Sequence, residues 1–305
     1  MTLTIIPFAE GERHLDWLSL CAAFQAGHDR PRAEIGDTFL YRGEDTLLNR
    51  AAWIDGLGIA VKSATIFPGN ATEGVPTVNG GVSLYDDASG VLEAIVDCHL
   101  LTKWKTAGDS LYAATRLARA DSERILIVGA GAVGRSLWQA YRAAFPKAQF
   151  AVWNRTRARA EEMAAECGGI EVSGDLEAAV GAADIVTSAT MTTEPILKGA
   201  WLRPGQHVDL IGAYRPDMRE ADDEALRRAR IFVDSYDTTL GHIGEIKTPL
   251  ESGVIARAHI IADYYDAPRF QRQSEDEITL FKNGGGAHLD LMTSRYILDA
   301  WQSAR

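Results

Sequence analysis

A glycine-rich turn with the spacing G-x-G-x-x-G carries the strongest chemical signal in the sequence. Its glycines are Gly129, Gly131 and Gly134, and they follow four apolar residues, 125–128, that are typical of a buried strand. In such a turn the first glycine permits the tight bend, the second lets a pyrophosphate approach the backbone, and the third lets the next helix lie close to the strand. The start of that helix presents unpaired N–H groups to the phosphates. The pattern therefore predicts a dinucleotide-binding site.

The residues after the next predicted strand, 150–153, bear on which nicotinamide dinucleotide is bound. An NAD-selective fingerprint places an Asp or Glu there to accept hydrogen bonds from the ribose. This sequence has Asn154, Arg155, Thr156 and Arg157 instead. Two guanidinium groups and a hydroxyl suit a 2′-phosphate, because arginine can bind phosphate through paired hydrogen bonds. We therefore predict NADP(H) rather than NAD(H); the alternative is that both arginines are solvated residues at the start of a helix.

Composition excludes several other classes of protein. The net charge of −11 argues against nucleic acid or an anionic membrane as a partner. The cysteines Cys21, Cys98 and Cys167 are far apart and form no C-x-x-C pair, which favours a reducing compartment, and we expect a cytoplasmic protein. No membrane span or signal peptide is visible. The sequence has neither metal-ligand spacing nor the G-x-S-x-G motif of serine hydrolases, so we predict no metal and no serine hydrolysis.

The elements that must position these residues fall into three stretches. Up to residue 117, short strands separated by turn residues predict a mostly antiparallel or mixed sheet, followed by a helix over 99–119. From 118 to 287, strands alternate with helices, which indicates a parallel sheet. Residues 288–301 have the apolar spacing of an amphipathic helix, and we expect that helix to pack against the first stretch. The predicted strands are 38–41, 47–54, 57–66, 81–85, 91–96, 125–128, 150–153, 184–189, 207–212 and 230–234.

Several further stretches, taken in order, match one known family. They are Lys62 with FPGN at 67–70, LTKWKTA at 101–107, the glycine turn, WNRT at 153–156, ADIV at 183–186, IGAYRPDMRE at 211–220, GEI at 244–246 and LFKNGGG at 280–286. Together they resemble the ornithine cyclodeaminase/mu-crystallin family over nearly the whole chain. The resemblance implies an α/β fold in which a Rossmann doubly wound parallel sheet is inserted into a second, α+β domain for substrate binding and dimerisation. We place the Rossmann domain at 118–287 and the second domain at 1–117 plus 288–305, and we expect a homodimer.

The glycine motif and the resemblance together predict the residues that contact the cofactor. They are Gly129, Gly131, Ala132, Val133, Gly134, Asn154, Arg155, Thr156, Arg157, Ala189, Thr190, Gly212, Tyr214 and Gly284.

The resemblance also implies a substrate pocket with Lys62 and Lys105 as its catalytic residues. Sequence alone would favour Lys62 as a strand lysine facing water, whereas the family places it near the nicotinamide, where it could donate a proton or hold a carboxylate. Lys105 stands where the family usually has an arginine that binds the substrate carboxylate, and a lysine lacks the bidentate fork. The alternative for Lys105 is a surface pair with Asp109, four residues on. The predicted substrate-binding residues are Arg42, Lys62, Asn70, Lys105 and Thr106.

One departure from the family pattern bears on the reaction. Cyclodeaminases of the family carry an aspartate after the Ile-Gly-Gly or Ile-Gly-Ala turn, and this chain has Tyr214 there, with Asp217 and Glu220 further on. Without that carboxylate, general-base help for deamination is in doubt. The resemblance therefore favours an NAD(P)H-dependent reductase of small cyclic or open α-imino acids. Two alternatives remain: an ornithine cyclodeaminase that recycles NAD, and a non-enzymatic NADP(H)-dependent ligand-binding protein. His242 and His288 are weaker acid–base candidates.

Overall fold

The computed structural model describes residues 3–304, which form strands and helices along the whole of that range. The strands are β1 (Thr4–Ile6), β2 (Glu34–Arg42), β3 (Asp45–Ile54), β4 (Gly58–Ile66), β5 (Val78–Tyr85), β6 (Leu92–Asp97), β7 (Arg124–Val128), β8 (Gln149–Trp153), β9 (Ile170–Val172), β10 (Ile185–Ser188), β11 (His207–Leu210), β12 (Arg230–Val233), β13 (Ile260–Ala262) and β14 (Thr279–Lys282). The helices are α1 (Phe8–Gly11), α2 (Trp17–His28), α3 (Cys98–Leu117), α4 (Ala132–Ala144), α5 (Arg157–Cys167), α6 (Leu176–Ala182), α7 (Asp223–Arg228), α8 (Tyr236–Thr239), α9 (Gly244–Glu251) and α10 (Ala287–Ser303). Short 3₁₀ helices cover Glu12–His14, Pro68–Glu73, Gly199–Trp201 and Arg257–His259.

The chain divides into two compact units. Unit 1 is built from both ends of the chain and consists of the residues up to Lys105 together with those from Gly286 onward, and unit 2 is Thr106–Gly285. The sequence placed the boundaries at 117/118 and 287/288 instead. The first boundary differs because it falls inside α3, a single helix that the sequence prediction assigned whole to the first domain. Its second half belongs to unit 2, where Arg116 donates from Nε to the carbonyl oxygen of Phe270 (3.1 Å).

Unit 1 is a mixed six-stranded sheet in the order β1-β6-β5-β4-β3-β2, with β1 parallel to β6 and the other neighbours antiparallel. Helix α10 packs against β3, β4 and α2 of this unit, as the apolar face of its sequence predicted. The side chains buried on this face of the sheet alternate with a period of two along each strand. They include Ala52, Ile54, Ala60, Ala64, Val82, Leu84, Ala94 and Val96.

Unit 2 is an eight-stranded sheet in the order β13-β12-β14-β11-β10-β7-β8-β9, and all of its neighbouring strands are parallel. The order β9-β8-β7-β10-β11 is the 3-2-1-4-5 arrangement of doubly wound folds. The predicted fold class, a Rossmann sheet inserted into an α+β unit, is therefore confirmed. In such sheets the switch point lies between the first and fourth strands, here β7 and β10, so ligands are expected at their carboxyl ends.

Several strands and helices were not predicted from the sequence; they are β1, β9, β13, β14, α1, α2, α6, α7, α8 and α9. Strands β1 and β13 have only three residues each and β14 has four, which is too short for a periodic pattern to stand out. No helix in residues 3–304 is long and apolar enough to cross a lipid bilayer. The cytoplasmic location stays a prediction.

Candidate functional site

The glycine turn of unit 2 has the geometry that its spacing predicts. Gly129 follows β7 with φ of 110°, a backbone conformation that glycine adopts readily. A Cβ added at Gly134 would collide with the carbonyl oxygen of Gly129, so the start of α4 can lie this close to the turn only with glycine. Gly131 is the N-cap of α4, and a Cβ there would meet nothing within 4 Å. The turn thus leaves open space in front of a helix N-terminus, the arrangement that binds phosphate groups.

A cavity of about 470 Å³ lies at this turn. Its size falls within the range of about 300–1,000 Å³ that is usual for small-molecule sites. It lies at the carboxyl ends of β7, β8 and β10, as expected at the switch point. The lining residues are Gly129, Ala130, Gly131, Trp153, Asn154, Arg155, Thr156, Arg159, Ala189, Thr190, Met191, Thr192 and Ile196.

The four polar residues after β8 have different surroundings. Asn154 joins two segments, because its Oδ1 accepts a hydrogen bond from the backbone N–H of Ala130 (3.1 Å) and its Nδ2 donates to the carbonyl oxygen of Thr156 (2.9 Å). Arg155 lines the cavity and is exposed. Arg157 lies outside the lining and pairs along α5 with Glu161 (2.8 Å).

Arg159, which the sequence did not single out, also lines the cavity. It lies in the first turn of α5, four residues after Arg155. The signal that could have found it is a third arginine within six residues of the end of β8, at the start of the helix that follows the strand.

Glu220 holds together the loops on the other side of this cavity. Its Oε1 accepts hydrogen bonds from the hydroxyl of Ser188 (2.6 Å) and from both the backbone N–H and the hydroxyl of Thr190 (2.8 Å each). Its Oε2 accepts from the backbone N–H groups of Gly212 (2.5 Å) and Ala213 (3.4 Å). A Cβ at Gly212 would collide with the Thr190 backbone. Glu220 therefore fixes the ends of β10 and β11, a role that the sequence did not reveal.

The remaining predicted cofactor residues also lie in unit 2. Ala132 and Val133 form the first turn of α4. Tyr214 is 57% exposed, and a Cβ at Gly284 would collide with the hydroxyl of Thr239 and approach the carboxylate of Asp234. None of these four residues lines the cavity, so their contact with a cofactor stays a prediction.

Lys62 faces the helix-covered side of the unit 1 sheet rather than water. Its position in β4 is in phase with the buried Ala60 and Ala64, and its side chain is only 12% exposed. The water-facing alternative is therefore wrong. Its Nζ donates to the hydroxyl of Thr102 on α3 (3.2 Å).

Asp290 joins the two predicted lysines, and the sequence did not reveal it. Its Oδ1 lies 3.8 Å from Nζ of Lys62 and 3.6 Å from Nζ of Lys105, and its side chain is 3% exposed. Burial alone would raise the pKa of Asp290, but the charges of Lys62, Lys105 and Arg50 outweigh it and hold that pKa below its usual value. The sequence did contain a signal for Asp290: it is a carboxylate between Leu289 and Leu291, on a helix that was predicted to pack against the first stretch of the chain.

Lys105 is 8% exposed, so the alternative of a pair on an exposed helix surface is excluded. Arg50, which was not predicted, lies directly opposite Lys62 in the β3–β4 ladder. The guanidinium of Arg50 is fixed by Asp37, which accepts from its Nε (3.0 and 3.1 Å) and from one of its terminal nitrogens (2.7 Å). By contrast, Arg42 is 80% exposed and pairs with Asp45 (2.9 Å) at the far end of β2.

The other candidates lie apart or are structural. Asn70 binds its own loop, since its Nδ2 donates to the carbonyl oxygen of Pro76 (3.0 Å). Thr106 belongs to unit 2, where its carbonyl oxygen accepts from Asn283 (3.0 Å). His242 is exposed, whereas His288 is buried. Burial first, and then the charge of Lys105, lower the pKa of His288 to about 3, so its ring is neutral at physiological pH.

The sequence model of the ornithine cyclodeaminase/mu-crystallin family matches residues 54–305. The chain belongs to this family. It is 50% identical to the Delta(1)-pyrroline-2-carboxylate reductase of Paracoccus denitrificans over 300 residues, which cover 96% of this chain and 95% of that protein. It is 32% identical to the mouse ketimine reductase mu-crystallin over 249 residues, which cover 81% and 77% of the two chains.

Among solved structures, the fold matches the Delta(1)-pyrroline-2-carboxylate reductase of Thermococcus litoralis in complex with NADH and L-proline. The TM-score is 0.89 at 26% sequence identity, with 99% of this chain and 98% of that chain covered.

Proposed function

We propose that the chain is an NAD(P)H-dependent oxidoreductase that reduces the C=N bond of small α-imino acids, with cyclic substrates of the Δ1-pyrroline-2-carboxylate type foremost. The observation that carries the proposal is the convergence of Lys62 and Lys105 on the buried Asp290. The ammonium groups of Lys62 and Lys105 are both largely buried, and two such groups close together can bind a carboxylate. The reductase relatives described above support the reaction type.

In this mechanism Lys105 binds the substrate carboxylate, and Lys62 holds a proton on Nζ for the imine nitrogen. Protonation matters because an iminium carbon accepts hydride far better than a neutral imine carbon. When bound, the reduced nicotinamide supplies that hydride. Asp290 holds both ammonium groups in place, and removing it would leave two buried cations without their nearby carboxylate. Thr102 orients Lys62 through the hydrogen bond to its Nζ.

The dinucleotide fits the glycine turn of unit 2. Gly131 leaves open space in front of α4, and Asn154 stabilises the turn by accepting a hydrogen bond from the backbone N–H of Ala130. We propose NADP(H) as the preferred form, with Arg155 and Arg159 binding the 2′-phosphate. No carboxylate follows β8 to accept from the ribose hydroxyls, which supports this preference.

The direct test follows consumption of NADPH and of NADH by the purified protein with Δ1-pyrroline-2-carboxylate. We expect turnover with both lysines present, and a loss of kcat in Lys62→Met that exceeds any change in NADPH affinity. Ammonia release from ornithine without net change in nicotinamide would instead identify a cyclodeaminase. Tight binding of the imine without turnover would identify a binding protein.

We also propose a homodimer with β2 in its interface. This strand lies at the edge of the unit 1 sheet, and large apolar side chains along it are exposed. They are Ile35, Phe39, Leu40 and Tyr41. A long, exposed apolar edge strand is a ready template for pairing with another chain. Sedimentation should show a dimer for the wild type and a monomer for Leu40→Asp combined with Phe39→Asp.

A further inference from the structure

Among the described residues, the charged groups that act most strongly on Asp290, together with the partner of Arg50, do not cancel. They are Lys62, Lys105 and Arg50 on the cationic side, and Asp290 with Asp37 on the anionic side; we call these five residues the cation cluster. Three cations and two carboxylates leave one net positive charge. The cluster therefore matches the charge of a single bound carboxylate, and its charge depends on Asp290 as much as on the lysines.

Asp290 lies close to both ammonium groups and does not form a short ion pair with either of them. Its Oδ1 is nearly equidistant from the two Nζ atoms, at 3.8 and 3.6 Å, and neither distance is that of a short hydrogen bond. Arg50 reaches the same cluster from β3, because it lies opposite Lys62 in the ladder and cross-strand neighbours have Cβ atoms only about 5 Å apart. Asp37 lies opposite Arg50 in turn, on β2.

We propose that Asp290 determines substrate specificity: Asp37 already pairs with Arg50, and Asp290 cancels one of the two remaining cationic charges, so the cation cluster accepts a substrate with one carboxylate and disfavours a substrate with two. This inference rests on the proposed function only in taking the cation cluster as the seat of the substrate carboxylate. Specificity of this kind comes from repulsion of the wrong ligand as well as from attraction of the right one. A second carboxylate near the cluster would meet the fixed charge of Asp290.

Calorimetric titration with two planar, non-reducible probes tests the proposal directly. The probes are pyrrole-2-carboxylate and pyrrole-2,5-dicarboxylate, which share one ring and differ by one carboxylate. We expect the wild type to bind the monocarboxylate at least about tenfold more tightly. In Asp290→Asn, which keeps the shape and removes the charge, we expect that ratio to fall by about tenfold or more. Asp290→Glu, which restores the charge, should recover most of the wild-type ratio.

Two further variants control for net charge and for folding. Glu10→Gln removes one negative charge from an exposed position on α1, outside the cluster and outside β2, and should leave the ratio unchanged. Asp37→Asn removes the more exposed carboxylate of the cluster, so it should shift the ratio in the same direction as Asp290→Asn but less. It decides the question if Asp290→Asn does not fold, as judged by its melting temperature.

An unchanged ratio in a folded Asp290→Asn would overturn the proposal, as would equal affinity of the wild type for both probes. A shift of the same size in Glu10→Gln would show that the net charge of the protein alone is responsible, and would overturn the proposal too. Failure of the proposed function is a separate result, because it would appear as no NADPH consumption with any imine, while the binding ratio still tests Asp290.

Discussion

Two buried carboxylates, one in each unit, are stabilised in opposite ways. Glu220 of unit 2 accepts hydrogen bonds from neutral donors on two loops, whereas Asp290 of unit 1 faces the ammonium groups of Lys62 and Lys105. Burial raises the pKa of Glu220, and its donors and Lys282 offset that rise only in part. For Asp290 the nearby cations outweigh burial, and its pKa is lowered.

The difference shows what each carboxylate can do. A carboxylate whose partners are backbone N–H groups cannot exchange them for a ligand without disordering the loops, so Glu220 is a positioning residue. A carboxylate that lies 3.6–3.8 Å from two ammonium groups, without a short hydrogen bond to either, leaves them able to bind an incoming anion as well, which supports the proposal that Asp290 belongs to a binding site. Sequence type alone would not separate these two roles.

The largest expected effect is on stability and comes from Glu220. Glu220→Ala leaves the buried donors of Ser188, Thr190 and Gly212 without their acceptor, and we expect the free energy of unfolding to fall by about 3 kcal/mol or more. Urea denaturation measures this loss. Glu224→Ala, at a nearby carboxylate of α7 whose side chain is 46% exposed, is the matched control and should change stability by less than about 0.5 kcal/mol. Equal effects of the two substitutions would contradict the conclusion that Glu220 fixes the ends of β10 and β11.

The next largest effect is on catalysis and comes from Lys105. Truncating one partner of a buried charged pair typically costs about 2–5 kcal/mol, so Lys105→Ala should lower kcat/KM for the imine by at least about thirtyfold. Lys105→Arg should retain much of the activity, because it keeps the charge beside Asp290. NADPH affinity should barely change in either variant. Wild-type rates in Lys105→Ala would show that the carboxylate binds elsewhere.

The sequence predicted the nucleotide-binding turn well because its glycines are required by local geometry. Collisions at Gly134 and open space at Gly131 follow from the spacing itself. The cation cluster was predicted only in part, since Lys62 and Lys105 came from a family resemblance, and Asp290 is nearly two hundred residues from Lys105 in the chain. Arg50 was missed because only the β3–β4 register places it opposite Lys62. Long-range pairing of this kind has no local signal.

A smaller effect concerns cofactor choice and compares two arginines of unit 2. Arg155 lines the cavity, whereas Arg157 pairs with Glu161 along the helix. Arg155→Asp should therefore invert the preference for NADP(H) over NAD(H), and Arg157→Asp should change it by less than about fivefold, since exposed pairs contribute at most about 1 kcal/mol. The measurement is the ratio of kcat/KM values with NADPH and NADH. A wild type that uses NADH at least as well as NADPH would remove the basis of this prediction.

The smallest effect concerns the pH dependence of stability and compares the buried carboxylates of unit 2 with Asp290 of unit 1. Glu245, whose carboxylate accepts from the backbone N–H of Glu220 (2.6 Å), has its pKa raised from 4.5 to about 7 by burial and then by the charge of Glu220. A carboxyl group with a raised folded-state pKa binds more protons when folded than when unfolded, so stability falls as pH rises through that window. In Glu245→Gln the fall in unfolding free energy between about pH 5 and pH 8 should be smaller than in the wild type by about 1 kcal/mol or more. The slope is the informative quantity, because the lost acceptor shifts all values by a constant.

Asp290→Asn should leave the slope in this window unchanged, since the pKa of Asp290 is lowered and its contribution is lost only in acid. A similar slope in Glu245→Gln and the wild type would mean that the buried carboxylates of unit 2 are ionised throughout, and that the opposition between the two units does not hold.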